Sequence, residues 1–341
     1  MKSYSFFFPL DELRGLPEGY QLGACKVQKF TSLPPQAQRY LSSFWKYVFE
    51  RDKSTLIPSF EDYQKRKTEQ TYLCCDVQAI GYNKAVELAK RSANRSISIY
   101  NCLYMAELRP LNEYGFCVDK MVGGGYNERR ISDGWRSHHP IDELEGYSKL
   151  VSSMTRIESI SEIEQNVLSA IDVYGLIQRE TPVELKFLLS VIALEGLLSG
   201  KYDFDFLAWK LREKVALLIG DDGAWIREYL QTPFDEEVTS EEIEKYRVPA
   251  RRELARRVAR MYGLRSQFAH ARGKMEDEIT DKDFRFASFV FRFSLQRVLQ
   301  LHEREGIRTV SKPDQKDEKK EKQSLDWLLE TLRYSQPLKL D

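Results

Sequence analysis

The chain has 341 residues, of which 42% are hydrophobic and 30% charged, so it is long enough for two domains with separate cores. No apolar run reaches the length of a membrane span, and the run from Phe6 to Pro9 is too short for the core of a signal peptide. We therefore expect an intracellular, cytoplasmic protein with no membrane partner. The formal net charge is zero, but this total hides a segregation of charge that leaves room for an anionic partner.

Residues 1–150 predict an α+β domain with a sensing or regulatory role. Hydrophobic patterns predict strands at residues 21–30, 71–80, 96–103 and 114–122 and a short helix at residues 83–91. All five cysteines lie in this part of the chain, at positions 25, 74, 75, 102 and 117. Their number is odd and no C-x-x-C pair occurs, so we expect reduced thiols that serve packing.

Residues 158–306 predict a bundle of helices with recognisable ends. Ser161 and Glu164 have the spacing of a capping box. The next helix is expected to begin with Pro182 at its first helical position, and its middle is apolar almost all round, as in the central helix of a bundle. Further helices are predicted at about residues 205–219, 249–271 and 281–305. Residues 307–341 predict a charged linker and a short amphipathic helix that docks on this chain or on a partner.

Charge is concentrated around the helix predicted at residues 249–271. Residues 235–244 include six acidic side chains, whereas residues 247–274 include nine basic side chains and one acidic. We interpret the acidic stretch as a solvated loop; an alternative is that it covers the basic helix in a resting state.

A helical wheel places Arg265 and His270 on different faces of this helix. With Leu254 at zero and about 100° per residue, Val258, Met261 and Phe268 form an apolar stripe, and Arg265 falls at about 20°, inside it. A buried arginine needs an anionic partner, and the best internal carboxylate is that of Glu195 on the apolar central helix.

His270 lies at about 160° on the same wheel, with Arg252, Arg256 and Arg260 between about 160 and 240°. Arg265 and His270 are thus separated by about 140° and do not converge on a straight helix. A bend at Gly263 or a second copy of the chain would be needed to bring the two residue types together.

Three segments resemble a known family. They are Tyr262–His270, with Arg265 and His270 in an R-x4-H arrangement, together with Ala193–Leu198 and Trp209–Leu218. In this order, within about residues 159–305, they resemble the HEPN superfamily, most closely its Apea-like branch. The resemblance implies a helical bundle that dimerises and brings two R-x4-H motifs into one cleft. Many members are metal-independent endoribonucleases of toxin and antiviral defence systems. The expected fold class is an α+β N-terminal domain followed by an all-α HEPN-type helical bundle.

The resemblance also implies roles for individual residues. Arg265 would bind the scissile phosphate, and His270 would act as general acid or base in attack by the ribose 2′-hydroxyl. The family often has Asn, Asp or His after the arginine, whereas this chain has Ser266, as is common in the Apea-like branch. A hydroxyl can hold a phosphate oxygen or orient the histidine, but it cannot act as a base near neutrality. Basic residues expected to contact the RNA backbone, or else to form a solvated face, are Arg252, Arg256, Arg260, Arg272 and Lys274.

Two functions therefore stay open. The first is a HEPN-type endoribonuclease that acts as a homodimer on RNA, as a toxin or antiviral effector with an N-terminal domain that recognises a protein or phage-derived trigger. The second is a non-catalytic module that dimerises and binds RNA, a nucleotide or a protein partner. No cofactor is expected. A zinc site from His138 and His139 with Cys102 or Cys117 is disfavoured, because adjacent histidines seldom both reach one ion.

Overall fold

A computed structural model describes residues 1–10, 16–51, 59–103, 115–117, 120–122, 141–155, 161–178, 182–199, 207–232, 238–270 and 279–304. The chain divides into two compact units, residues 1–156 and residues 157–341. The described part of the first unit combines a sheet with helices, and that of the second consists of helices. This confirms the order of an α+β domain followed by a helical one. Among the described helices, none is long and apolar enough to cross a membrane.

The first unit contains a sheet of antiparallel strands. Its strands are β1 (Lys2–Leu10), β2 (Gln21–Leu22), β3 (Cys25–Lys29), β4 (Thr71–Ala79), β5 (Gly115–Cys117) and β6 (Lys120–Val122). Their order across the sheet is β2-β3-β4-β1-β5-β6. The predicted strand at residues 71–80 is confirmed. The stretches 21–30 and 114–122 each contain two paired strands rather than one, and β1 was not predicted.

Helices pack on both faces of this sheet. They are α1 (Pro35–Arg51), α2 (Phe60–Thr68), α3 (Tyr82–Leu103) and α4 (Ile141–Met154). Phe7 of β1 belongs to a core cluster with Leu41 and Trp45 of α1, whereas its neighbour Phe6 faces Tyr82 of α3. This alternation is expected of a strand buried on both sides. The first unit continues to residue 156, past the predicted boundary at residue 150, because α4 runs through that position.

The strand predicted at residues 96–103 is wrong, because these residues form the second half of α3. Ile97 and Ile99 alternate with polar residues, which suggested a half-buried strand. In the structure both isoleucines are buried, and so is Ser98 between them. This end of α3 is covered on most sides, so its polar and apolar residues are both buried and the alternating pattern does not indicate a strand.

The prediction of reduced thiols is wrong for one pair of cysteines. Cys25 and Cys75 form a disulfide with a Cα–Cα distance of 4.7 Å. The register of β3 and β4, in which Lys26 lies opposite Cys74, places Cys25 directly opposite Cys75. Cys74 is a free thiol, and burial raises its pKa. Cysteine number and spacing do not reveal strand register, which is what brings the bonded pair together.

The second unit is a bundle around one central helix. Its helices are α5 (Glu162–Gly175), α6 (Val183–Leu198), α7 (Leu207–Ile219), α8 (Gly223–Leu230), α9 (Ser240–His270) and α10 (Asp281–Arg304). As predicted, α6 is central, and it packs against α5, α9 and α10. The predicted capping box is present, since Ser161 Oγ accepts from the N–H of Glu164 and Glu164 Oε2 accepts from the N–H of Ser161. Pro182 is the N-cap of α6 rather than its first helical residue.

Helix α9 begins nine residues before the predicted start at Pro249, which instead lies inside it. Thr239 caps the helix, because its hydroxyl accepts from the N–H of Glu242 at 3.2 Å while the Glu242 carboxylate accepts from the N–H of Thr239 at 2.9 Å. The part of the acidic stretch from residue 240 to residue 244 is therefore helical, not a loop. Because it belongs to the same helix as the arginines, it cannot fold back over them. Residues 233–237 lie outside the described part of the chain.

Candidate functional site

The predicted R-x4-H pair lies at the C-terminal end of α9. The helix continues through Gly263 to His270 without interruption, and a Cβ atom at Gly263 would meet no other atom within 4 Å. Five residues at about 100° each leave Arg265 and His270 separated by about 140° around the helix axis. One chain therefore presents the arginine and the histidine on different faces of α9.

Arg265 forms the predicted ion pair with Glu195 of α6. Its Nη2 atom lies 3.1 Å from Glu195 Oε2, and the two side chains are 25% and 11% exposed, respectively. Arg265 Nε and Glu195 Oε1 are both buried and have no hydrogen-bond partner among the described residues. The pair is thus joined by a single hydrogen bond, and the guanidinium retains donors that could bind a further anion.

Burial changes the pKa of the Glu195 carboxyl group more strongly than the ion pair with Arg265 does. Burial raises the pKa of the Glu195 carboxyl group, and the charge of Arg265 with its hydrogen bond offsets this only in part, so the pKa stays above its ordinary value. The apolar surroundings of α6 are the cause, since the neighbours of Glu195 along the helix include buried Leu194 and Leu197. Glu195 therefore holds Arg265 in place at the expense of a poorly solvated negative charge.

The other two predicted catalytic residues differ in exposure. His270 is exposed in the last turn of the helix and makes no hydrogen bond or ion pair with a described residue. Ser266 is half-buried and follows Arg265 directly. The structure thus brings Arg265 to Glu195 but leaves His270 turned toward solvent.

The predicted basic stripe follows the outer face of α9. Arg252, Arg256 and Arg260 are all exposed. Arg256 donates from Nε and Nη2 to the Glu253 carboxylate at 2.8 and 2.7 Å, whereas Arg260 Nη2 lies 3.7 Å from Asp283 Oδ1. Predicted contacts at residues 272 and 274 lie outside the described part of the chain.

Two adjoining grooves run along this basic face. One, of about 300 Å³, lies between α9 and the start of α10 and is lined in part by Arg256 and Arg260. The other, of about 330 Å³, is lined in part by Arg252 and Arg256. The stripe therefore lines two grooves that share Glu253 and Arg256.

A further arginine of α9, Arg257, was not predicted to contribute to the site. Its guanidinium lies 4.1 Å from the ring centroid of Phe286 and 5.6 Å from that of Trp225, and Nη1 donates to Glu228 Oε1 at 3.3 Å. The partners lie on α8 and α10, so no local spacing in the sequence could have indicated this arrangement.

A buried histidine was also missed. His302 of α10 lies with its Nε2 atom 3.6 Å from Glu164 Oε1, and both residues are almost fully buried. The carboxyl group of Glu164 also accepts from the Ser161 backbone, and its hydrogen bonds hold the pKa of Glu164 below its ordinary value despite burial. This pair fixes the start of α5 against α10 and takes no part in the candidate site.

Metal-binding geometry does not occur in the described part of the chain: no three His, Cys, Asp or Glu side chains there are grouped to hold an ion. His138 and His139 lie outside that part. No family model, curated protein or solved structure matches the chain. The HEPN resemblance accordingly rests on the motif and on the order of the helices.

Proposed function

We propose that this protein is a metal-independent endoribonuclease of the HEPN type. The observation that carries the proposal is the position of Arg265. It lies at the end of a long basic helix and is anchored by Glu195 of the central helix through one hydrogen bond, and its guanidinium retains further donors. An arginine held in this way is oriented yet still able to bind a phosphate.

The proposed reaction uses two side chains in distinct roles. His270 takes the proton of the ribose 2′-hydroxyl, or gives a proton to the leaving 5′-oxygen, while Arg265 stabilises the charge on the phosphate oxygens. The 2′-oxygen forms a bond to phosphorus as the bond to the 5′-oxygen breaks. The products are a 2′,3′-cyclic phosphate and a 5′-hydroxyl end. Ser266 holds a phosphate oxygen or orients the histidine.

The site needs a second chain, because Arg265 and His270 of one chain face different directions. An apolar stripe on α6 beside Glu195 supports a homodimer. Leu185 is 39% exposed, Leu189 and Ile192 are half-buried, and Gly196 is exposed, all at helical spacing along one face. An apolar helix face of this kind is suited to pairing with a second copy of the chain.

The basic face of α9 supplies the RNA path in this proposal. Arg252, Arg256 and Arg260 recur every four residues, so they follow the helix as a row of about 12 Å. A row of exposed guanidinium groups is suited to contacts with successive phosphates of one strand.

Cleavage of single-stranded RNA in the presence of EDTA tests the proposal. The wild-type protein is expected to cut and to leave 2′,3′-cyclic phosphate ends, whereas Arg265→Ala and His270→Ala are expected to stay folded and not cut. Arg285→Ala is a matched control, because Arg285 is an exposed arginine of the same bundle that pairs with Asp281. Cutting that persists in His270→Ala would contradict the assigned role.

A second candidate function is a non-catalytic module that dimerises and binds RNA or a partner. The observation in its favour is that Glu195 already neutralises Arg265. If the wild-type and His270→Ala proteins are equally inert on RNA while both dimerise, this second function stands.

The cellular role we propose is that of a toxin or antiviral defence effector, with the N-terminal unit responding to a trigger. Expression of the wild-type protein is then expected to slow growth. Arg265→Ala is expected to remove that toxicity, whereas Arg285→Ala is expected to keep it. Toxicity that is equal in all three proteins would contradict an RNA-cleaving effector.

A further inference from the structure

The groove between α9 and α10 has a charge that suits one phosphate group. Four of its lining residues are basic and two are acidic, Glu253 and Asp283. The excess of two positive charges matches the charge of about −1.5 to −2 on a phosphate monoester near neutral pH. A groove of about 300 Å³ is at the lower end of the range for small-molecule sites.

The basic residues of the groove are not equally available to a ligand. Glu253 already binds Arg256 through two hydrogen bonds, so a phosphate would have to displace it. Arg260 is 68% exposed and lies 3.7 Å from Asp283, which is beyond hydrogen-bond distance. Lys282 is exposed and forms no ion pair with a described residue. Arg260 and Lys282 are therefore the cations best placed to receive a phosphate.

Arg257 adds a feature that a simple anion site would not need. Phe286 covers one side of its guanidinium at 4.1 Å, and Glu228 holds one of its nitrogens. The side chain is 32% exposed and lines the groove, so part of the planar group is accessible to a ligand. Nucleobases stack on such guanidinium planes in single-stranded RNA recognition.

We propose that this groove binds one nucleotide, with its base stacked on Arg257 and its phosphate held by Arg260 and Lys282. The nucleotide is either free or part of a single RNA strand. The site shares Arg256 and Arg260 with the RNA path and in this respect rests on the proposed function. Its lining does not include Arg265, Ser266 or His270, however, so nucleotide binding does not require cleavage.

Calorimetric titration of the full chain tests the inference with AMP, ribose 5-phosphate and a short oligoadenylate. AMP or the oligonucleotide is expected to bind about tenfold or more tightly than ribose 5-phosphate, because only they carry a base to stack. Arg257→Lys keeps the charge but lacks the planar group, so it is expected to remove this preference. Arg260→Gln combined with Lys282→Gln is expected to weaken binding of all ligands, and Arg285→Gln, outside the groove, is the control.

The ligands also distinguish the source of the nucleotide. Binding of AMP identifies a free nucleotide as a ligand, whereas binding of the oligonucleotide without AMP places the nucleotide in an RNA strand. Equal affinity for AMP and ribose 5-phosphate with no oligonucleotide preference, or an unchanged preference in Arg257→Lys, would overturn the inference. So would a lack of binding by all three.

Two further measurements separate the inference from folding and from cleavage. In the wild-type chain, AMP or the oligonucleotide is expected to protect Arg257 from modification by phenylglyoxal, whereas ribose 5-phosphate is not. Peptide mass spectrometry measures this protection. A lack of protection would count against the site even if Arg257→Lys fails to fold. His270→Ala is expected to bind nucleotide like the wild type. Binding without cleavage by the wild type would then reject the proposed function and leave this site in place.

Discussion

Glutamine at position 195 is expected to preserve most of the folding stability, whereas alanine is expected to lower the free energy of unfolding by about 2 kcal/mol. The alanine variant loses the hydrogen bond from Arg265 Nη2, which at 3.1 Å is the single bond joining the pair. A hydrogen bond to a charged group contributes about 1.5–3 kcal/mol. Arg265 is 25% exposed, so water partly solvates the guanidinium left behind, and the loss stays below that of a fully buried pair.

The glutamine variant retains an oxygen that can accept from Arg265 and removes a buried negative charge. Burial holds the pKa of Glu195 above its ordinary value even with Arg265 beside it, so desolvation exceeds the gain from the ion pair. Removal of the charge therefore removes an unfavourable desolvation energy. We expect the free energy of unfolding to change by less than about 1 kcal/mol.

The raised pKa of Glu195 also sets the sign of a pH effect on stability. Because the folded pKa of Glu195 is raised above the ordinary value of 4.5, the folded chain binds this proton more readily than the unfolded chain. The stabilisation of the folded chain that results from protonating Glu195 is fully present below pH 4.5, and it is lost as the pH rises through the folded pKa. The wild type should therefore gain stability relative to Glu195→Gln as the pH is lowered from neutrality into this window.

Urea unfolding of the wild type, Glu195→Gln and Glu195→Ala at several pH values measures both effects. Glu184→Gln on the same helix is the control, because Glu184 lies in the first turn of α6 and forms no ion pair with a described residue. A glutamine variant as unstable as the alanine variant would contradict this expectation, because it would show that the negative charge itself stabilises the fold.

Three further outcomes follow from the packing. Gly220→Ala should destabilise the bundle by more than about 2 kcal/mol, as seen in its melting temperature, since a Cβ there would overlap the carbonyl oxygen of Ala216. Ser161→Ala should lower the unfolding free energy by about 1 kcal/mol through loss of the cap of α5, measured by urea unfolding, and a neutral result would contradict the capping role. Reduction of the Cys25–Cys75 bond, which closes a separation of 50 residues, should lower stability by up to about 4 kcal/mol. Added reductant should then leave the melting temperature of the Cys25→Ser/Cys75→Ser double variant unchanged, whereas a wild type insensitive to reductant would contradict the contribution of the disulfide.

The ion pair of Arg265 with Glu195 could be predicted because both ends are visible in local patterns. Helical periodicity places Arg265 on an apolar stripe, and Glu195 interrupts an otherwise apolar helix. Each residue is costly to bury alone, so pairing was the physical solution that the sequence indicated.

Features that depend on contacts distant in sequence could not be predicted in this way. The Cys25–Cys75 disulfide depends on the register of two strands, and the stacking of Arg257 on Phe286 depends on the packing of α9 against α10. The start of α9 was misplaced for a local reason. Pro249 has the properties of a first-turn residue, but the cap at Thr239 starts the helix earlier.

In the site we propose, Arg265 of one chain and His270 of another cleave RNA without a metal ion. The most direct test of this site is the cleavage of single-stranded RNA in EDTA by the wild type, by Arg265→Ala, by His270→Ala and by a mixture of the two variants that has been unfolded and refolded together. We predict that the wild type and the mixture cut RNA, because a mixed dimer regains one intact pair, and that each variant alone does not. Wild-type cleavage with an inert mixture, or cleavage by either variant alone, would contradict a site formed by Arg265 of one chain and His270 of another.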